Sequence, residues 1–187
     1  MARGRLITIE GLDGAGKTTL AAGLERELAA RGLAVRALRE PGGVELSERV
    51  RELVKDPALT VGARAEALLY AAARAQLVEE ALVPLLDAGV WVLLDRFVDS
   101  SLAYQGAGRE LGVEEVRAIN EFATGGQTPG PTAGGQTPGP NRTAGGLTPD
   151  RTLLLRVAPA TRPCSSRPRA ASASSWAGSR ASPSSRR

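Results

Sequence analysis

The sequence contains no histidine and a single cysteine, Cys164. A Cys/His metal site, a disulfide framework and a histidine-based catalytic triad are thereby excluded. Any catalysis must run on carboxylates, Lys, Arg, Thr and a metal held by oxygens. No run of eighteen apolar residues occurs, and the opening MARGRLITIEG passes into strand-like sequence without the pattern of a signal peptide. A cytoplasmic protein with no membrane partner is expected. Acids are missing from one place in particular: residues 161–187 hold six Arg and no Asp or Glu. The formal net charge of +4 would suggest nucleic acid, but with that tail set aside 18 basic residues face 20 acidic ones, so the body is about −2. Nucleic-acid contact is therefore expected only nonspecifically, through the tail.

What remains is a chain of 187 residues, 42% apolar, the size of one ordinary domain with a real core. Its first 124 residues alternate strand-like and helix-like segments. RLITI is apolar and β-branched, and from Lys17 to about Ala30 the residues Leu20, Leu24 and Leu28 share a helical face that stops near Gly32. LAVRAL reads as a second strand, which makes the start of a parallel βαβ arrangement. Helices are expected around Glu45 to Val54, over a long stretch from about Ala63 to Leu86, around Ser100, and from Val113 to Phe122. VWVLLD reads as a buried strand ending in an acid, and Thr152 to Val157 as a last strand.

Between those final elements Gly-Gly-x-Thr-Pro occurs three times, in GGQTPGPTAGGQTPGPNRTAGGLTPD at residues 125–150. Gly and Pro at this density remove helix and ladder options, so a disordered loop with no core anchor is expected. Removing residues 125–144 leaves EFATGGLTPDRTLLL, an ordinary helix-to-strand connection, and the extra residues read as a tandem duplication of one native turn. A functional lid or binding loop is the rival reading.

GLDGAGKT, Gly11 to Thr18, fits the phosphate-binding pattern G-x-x-x-x-G-K-[ST], after a strand and at the start of a helix. In such a loop the backbone N–H groups of Gly11, Leu12, Asp13, Gly14, Ala15 and Gly16 curl around phosphate oxygens. Lys17 reaches the β- and γ-phosphates, and the Thr18 hydroxyl ligates Mg²⁺. A Gly-rich turn with a chance Lys is the bland alternative, and the strand-before, helix-after context speaks against it. Asp95, at the carboxyl end of VWVLLD, is a metal partner directly or through water; alone it would be weak, because apolar strands often end in Asp.

EGLDGAGKTT, REPGG (Arg39 to Gly43), YAAARAQ (Tyr70 to Gln76) and DRFVDSSLAYQG (Asp95 to Gly106), in that order and spacing, closely resemble bacterial thymidylate kinases. The resemblance covers residues 5 to about 124 and resumes at GGLTPDRTLLL. It implies an α/β P-loop NTPase fold of the nucleoside monophosphate kinase type, a parallel sheet flanked by helices. It also implies transfer of the γ-phosphoryl group of ATP to dTMP, giving dTDP for dTTP biosynthesis, with Mg²⁺ as cofactor and a homodimer. By the same resemblance, Tyr70 stacks on thymine, Arg74 bonds a base carbonyl, Arg96 neutralises the acceptor phosphate and Asp13 lies near the 3′-hydroxyl. Tyr104 crowds the 2′ position; Ser101 and Gln105 are polar pocket contacts and Pro41 a wall. Lys17, Arg96 and Asp13 are the catalytic candidates. Tyr70 and Arg74, four apart, share a helix face. Arg39 and Arg51 are surface charges or phosphate contacts.

Kinases of this type without an Arg in the loop are expected to supply arginines from a mobile lid after the strand matching TLLLRV. Here that strand is followed by TRPCSSRPRAASASSWAGSRASPSSRR, with nine Ser and six Arg and no Leu, Ile, Val, Asp or Glu in 27 residues. No period of 2 or 3.6 runs through it. A natural nucleic-acid-binding tail, an unusual lid using Arg162, Arg167 or Arg169, and an out-of-frame translation of GC-rich DNA all compete, and the abrupt change after RVAPA favours the last. The expected organisation is a kinase domain at 1–160, interrupted by the repeat at 125–144, and a disordered Ser/Arg-rich tail at 161–187. The lid and last sheet strand are expected to be missing and activity impaired. Another nucleotide kinase, a noncatalytic remnant and a basic-tailed nucleic-acid binder are the alternatives.

Overall fold

The computed structural model describes residues 2–126, 142–143 and 146–157. The Ser/Arg-rich tail at 161–187 and most of the repeat at 125–144 lie outside the described residues. Strand β1 (Leu6–Gly11) leads through the phosphate-loop sequence into helix α1 (Lys17–Ala30), followed by β2 (Val35–Arg39) and α2 (Glu45–Lys55). A long helical stretch then runs from α3 (Ala63–Leu77) to α4 (Val83–Asp87) and returns the chain to β3 (Trp91–Asp95). Next come α5 (Val98–Ser101), α6 (Val113–Ala123), the two-residue strands β4 (Arg142–Thr143) and β5 (Gly146–Leu147), and β6 (Arg151–Leu155).

The main sheet is parallel, with strand order β2-β3-β1-β6. The register sets Leu6 against Val92, Val35 against Trp91 and Ile7 against Arg151. β1 and β3 are its central strands, and their side chains Leu6, Ile9, Val92, Leu93 and Leu94 are fully buried, as a parallel sheet covered by helices requires. Leu77, Val78, Leu82 and Leu86 pack onto that layer from the long helix, with Phe97 beside them. This is the expected α/β P-loop architecture.

Three expectations need correction. The helix expected from Ala63 to Leu86 is not regular: Val78–Leu82 forms a π-helical turn. An extra residue in one turn leaves no gap in an apolar pattern that is already dense, so periodicity does not reveal it. The helix around Ser100 likewise continues as a π-helical segment, Leu102–Gly108, and carries Tyr104 and Gln105. The third correction concerns Leu147, in the last copy of the repeat. It is 2% exposed and belongs to the core, and its N–H donates to the Thr124 carbonyl. A glycine- and proline-rich segment can therefore anchor a core where a single leucine has a cavity to fill. Arg142 and Thr143 pair antiparallel with Leu147 and Gly146. Substitution Leu147→Ala is expected to cost about 2 to 4 kcal/mol of stability. Urea unfolding of both chains measures this, and an unchanged midpoint would remove Leu147 from the core.

Candidate functional site

The carboxyl ends of β1, β2 and β3 open into one cleft of about 950 Å³. At one end lies the Gly11–Thr18 loop. Gly11 has φ +146°, and a Cβ there would stand 2.8 Å from the Leu155 carbonyl oxygen, so only glycine lets β6 approach this closely. Gly16 caps α1 with φ 92°. The buried Lys17 ammonium donates to the carbonyls of Gly11 at 3.1 Å and Leu12 at 2.9 Å, holding the loop closed on its own helix. Asp13 is nearly fully exposed, 3.8 Å from Lys17.

Asp13 is tied across the cleft to Arg96, whose Nη2 donates to Oδ1 at 2.6 Å. That hydrogen bond holds the Asp13 carboxyl below its ordinary range. Arg96 also donates to the Ser100 hydroxyl at 3.1 Å, and its guanidinium lies 5.2 Å from the Tyr104 ring centroid. Its backbone is left-handed, with φ 72°, and its N–H donates to the Ile9 carbonyl. A non-glycine residue in that region is strained and needs surrounding contacts to hold it.

Glu10, at the end of β1, supplies part of that hold. Its carboxylate accepts from the Phe97 N–H at 2.8 Å and the Ser100 hydroxyl at 2.6 Å, while burial pushes its carboxyl above the usual value. Asp95 lines the same cleft, and its Oδ1 is buried with no hydrogen-bond partner among the described residues. Such an oxygen fits a cation. Among the described residues no three Asp, Glu, His or Cys cluster as a metal cage. The donor set, Asp95 with the exposed Thr18 hydroxyl, is the sparse kind that suits Mg²⁺ shared with substrate phosphates.

The other end of the cleft is walled by Pro41, Tyr70, Arg74, Ser101, Tyr104 and Gln105. Arg74 is 3% exposed, with every N–H donor of its guanidinium engaged. Nε and Nη2 donate to Glu40 Oε2 at 2.8 and 2.6 Å, Nη2 to the Phe97 carbonyl at 3.0 Å, and Nη1 to Ser101 Oγ at 3.1 Å and to Asn120 Oδ1. A ligand carbonyl thus reaches Arg74 only by sharing or displacing one of these acceptors. Gln105 donates to Glu66, which also takes Arg109, and so ties the π-helical segment to α3 at the cleft rim.

Asp13, Gly14, Gly16, Lys17 and Thr18, together with Asp95 and Arg96, line the same cleft as these base-end residues. Arg39 and Arg51 line it too, Arg39 paired with Glu48 and Arg51 with the Pro41 carbonyl. Gly11 and Leu12 instead face a neighbouring cavity of about 510 Å³, bounded by Leu154 and Leu155, while Ala15 lines neither. Sequence reasoning missed Glu10, Glu40, Glu66, Arg109 and Asn120. Glu10 and Glu40 sit inside motifs that were singled out, but their partners are far away in the chain.

A sequence model described as thymidylate kinase matches residues 9–132. Over 132 residues, 71% of this chain and 64% of the relative, it is 56% identical to a thymidylate kinase of Deinococcus radiodurans. It is 51% identical to one of Bacillus pumilus over 127 residues, 67% of this chain and 60% of the relative. With the thymidylate kinase of Geobacillus thermodenitrificans it shares 55% over 130 residues, 69% of this chain and 58% of the relative. The chain thus aligns to about six-tenths of the length of these curated relatives. The aligned part contains the loop, the Asp95–Arg96 pair and the wall of Tyr70 and Arg74, and on this footing the chain belongs to the thymidylate kinase family.

Proposed function

We propose that this protein transfers the γ-phosphoryl group of ATP to thymidylate, producing dTDP. The carrying observation is that one cleft holds both the phosphate loop with its Lys17 and a wall of Tyr70, Arg74, Ser101, Tyr104 and Gln105 suited to a pyrimidine nucleotide. The Gly-rich backbone and Lys17 bind and orient the donor phosphates, for which Lys17 exchanges its carbonyl partners for phosphate oxygens. Arg96, held over Tyr104, faces the region between donor and acceptor and offsets the charge that develops during transfer. Asp13 keeps Arg96 in place and accepts from the sugar hydroxyl. Thr18 and Asp95 would hold Mg²⁺, whose chemistry here is charge neutralisation across the phosphates. Tyr104 closes the sugar pocket, and Tyr70 offers its ring face to the base.

The family resemblance extends this reading to a homodimer in the cytoplasm; no described helix is long and apolar enough to cross a membrane. Competition binding tests the acceptor assignment. dTMP is expected to displace a fluorescent dTMP analogue at least about a hundredfold more effectively than AMP does, because a pocket of hydrogen-bonding groups strongly rejects a mismatched base. Its ribose counterpart should also compete poorly. Equal displacement by AMP would overturn the thymidylate assignment and leave the phosphate loop untouched.

A further inference from the structure

Three groups meet the Arg96 guanidinium, and two of them are open to solvent. The Tyr104 ring is exposed, and the Asp13 side chain that takes Nη2 is 95% exposed. An ion pair so open to water holds little, because solvent screens its charges. The mechanism above also asks Asp13 to accept from the sugar hydroxyl. The third group is Ser100, whose Oγ accepts from Nη1 and whose hydroxyl gives its single proton to Glu10 Oε2 at 2.6 Å. The other oxygen of that carboxylate, Oε1, accepts the Phe97 N–H, the first peptide group after the left-handed Arg96. Glu10 is only 5% exposed and does not line the main cleft; it borders the neighbouring cavity together with Arg96 and Ser100.

We propose that Glu10 is a positioning residue for phosphoryl transfer, fixing the Arg96 guanidinium through the Ser100 hydroxyl and the Arg96 backbone through the Phe97 N–H. A carboxylate only accepts, so Ser100 must point its proton at Glu10 and turn a lone pair toward Nη1. Hydrogen bonds to an ionised group are the strong ones, and these two are set away from water. Arg96 is thereby anchored from its inner side. When Asp13 turns to the sugar, Nη2 is released to the acceptor phosphate and Nη1 stays where it was. This deepens the proposed function and rests on Arg96 serving transfer to thymidylate.

Glu10→Gln tests it with almost no change of shape. The Phe97 N–H cannot turn round, so the amide oxygen must take the Oε1 place and the NH₂ group that of Oε2. Ser100 then faces a donor, and its hydroxyl loses the acceptor that set its direction. In the full chain kcat with dTMP is expected to fall about tenfold, the worth of one buried hydrogen bond, while KM for Mg-ATP and for dTMP stays within about threefold of the parent. In an Arg96→Ala background the same substitution should change kcat by less than about twofold, since no guanidinium is left to aim. Equal losses in both backgrounds would mean that Glu10 only supports the sheet and loop. An unchanged kcat in the parent background would mean that Arg96 is aimed without it; either result overturns the proposal. Side-chain NMR of Arg96, its signal identified by its loss in Arg96→Ala, gives a readout free of turnover. Separate, slowly exchanging Nη resonances are expected in the parent and a single averaged one in Glu10→Gln, and equal hindrance in the two chains overturns the proposal. A parent chain that transfers nothing to dTMP would overturn the proposed function, and the Arg96 resonances would still decide whether Glu10 holds the guanidinium. Should Glu10→Gln fail to fold, Ser100→Ala cuts the same chain of bonds at its middle link. It should show the same loss of kcat and the same averaged resonance, and a Ser100→Ala chain like the parent in both overturns the proposal.

Discussion

Replacing Arg96 by alanine is expected to lower the rate of phosphoryl transfer about a thousandfold, the lower range for an arginine that offsets transition-state charge in phosphotransfer enzymes. The size of the effect follows from how little freedom Arg96 has. Its guanidinium is set by Asp13, Ser100 and the Tyr104 ring at once, so the charge is in position before any substrate arrives. Substrate affinity should suffer far less than turnover. Arg96→Lys should recover little, because an ammonium cannot span Asp13 and Ser100 while lying flat on the ring. Stability separates the backbone from the side chain. At φ 72° any residue with a Cβ is strained, so Arg96→Gly should be about 1 kcal/mol more stable than Arg96→Ala while being equally slow. Steady-state kinetics with thermal unfolding of the three variants gives the comparison. An alanine variant within tenfold of the parent rate would show that the transferring group is neutralised from elsewhere.

Lys17→Ala is expected to weaken Mg-ATP about tenfold to a hundredfold, the worth of one charged hydrogen-bonding contact. Two losses add here. The ammonium no longer meets phosphate, and the Gly11 and Leu12 carbonyls lose the donor that holds the loop in its curl. Lys17→Met, which keeps the aliphatic stem, should be no better than alanine if the charge matters, and better if the buried packing of Lys17 dominates. Titration of Mg-ATP into each variant decides between them. Equal affinity throughout would remove Lys17 from the nucleotide site.

The sheet and the loop were legible because their signals are local. GLDGAGKT states its own turn and helix start, and α1 begins at Lys17 and ends at Ala30, where the leucine spacing places it. VWVLLD is apolar on both faces, which only a covered parallel strand requires. The buried polar wiring was not legible, because its partners lie far apart in the chain. Glu10 reaches Phe97 and Ser100, and Arg74 gathers Glu40, Phe97, Ser101 and Asn120 from different elements. Nothing near Glu40 in sequence announces that a carboxylate there will be enclosed. The π-helical segment bearing Tyr104 and Gln105 was hidden for another reason: LAYQGAG has too few apolar residues to display any period.

A parallel sheet sorts its connections into two populations. Those leaving strands emerge where nucleotides are handled, and those entering strands gather at the opposite rim. The repeat lies between α6 and β6, and β6 is entered beside the beginning of β1, where the Leu6 N–H donates to Asp150 and the Asp150 N–H to the Leu6 carbonyl. The phosphate loop departs from the other end of β1, opposite Leu155, five strand steps or about 16 Å further on. The chain coming from α6 therefore re-enters the sheet at the rim remote from the phosphate loop. A change at Asp150 would then bear on how β6 is held beside β1, and would leave the lining of the cleft at the other rim in place.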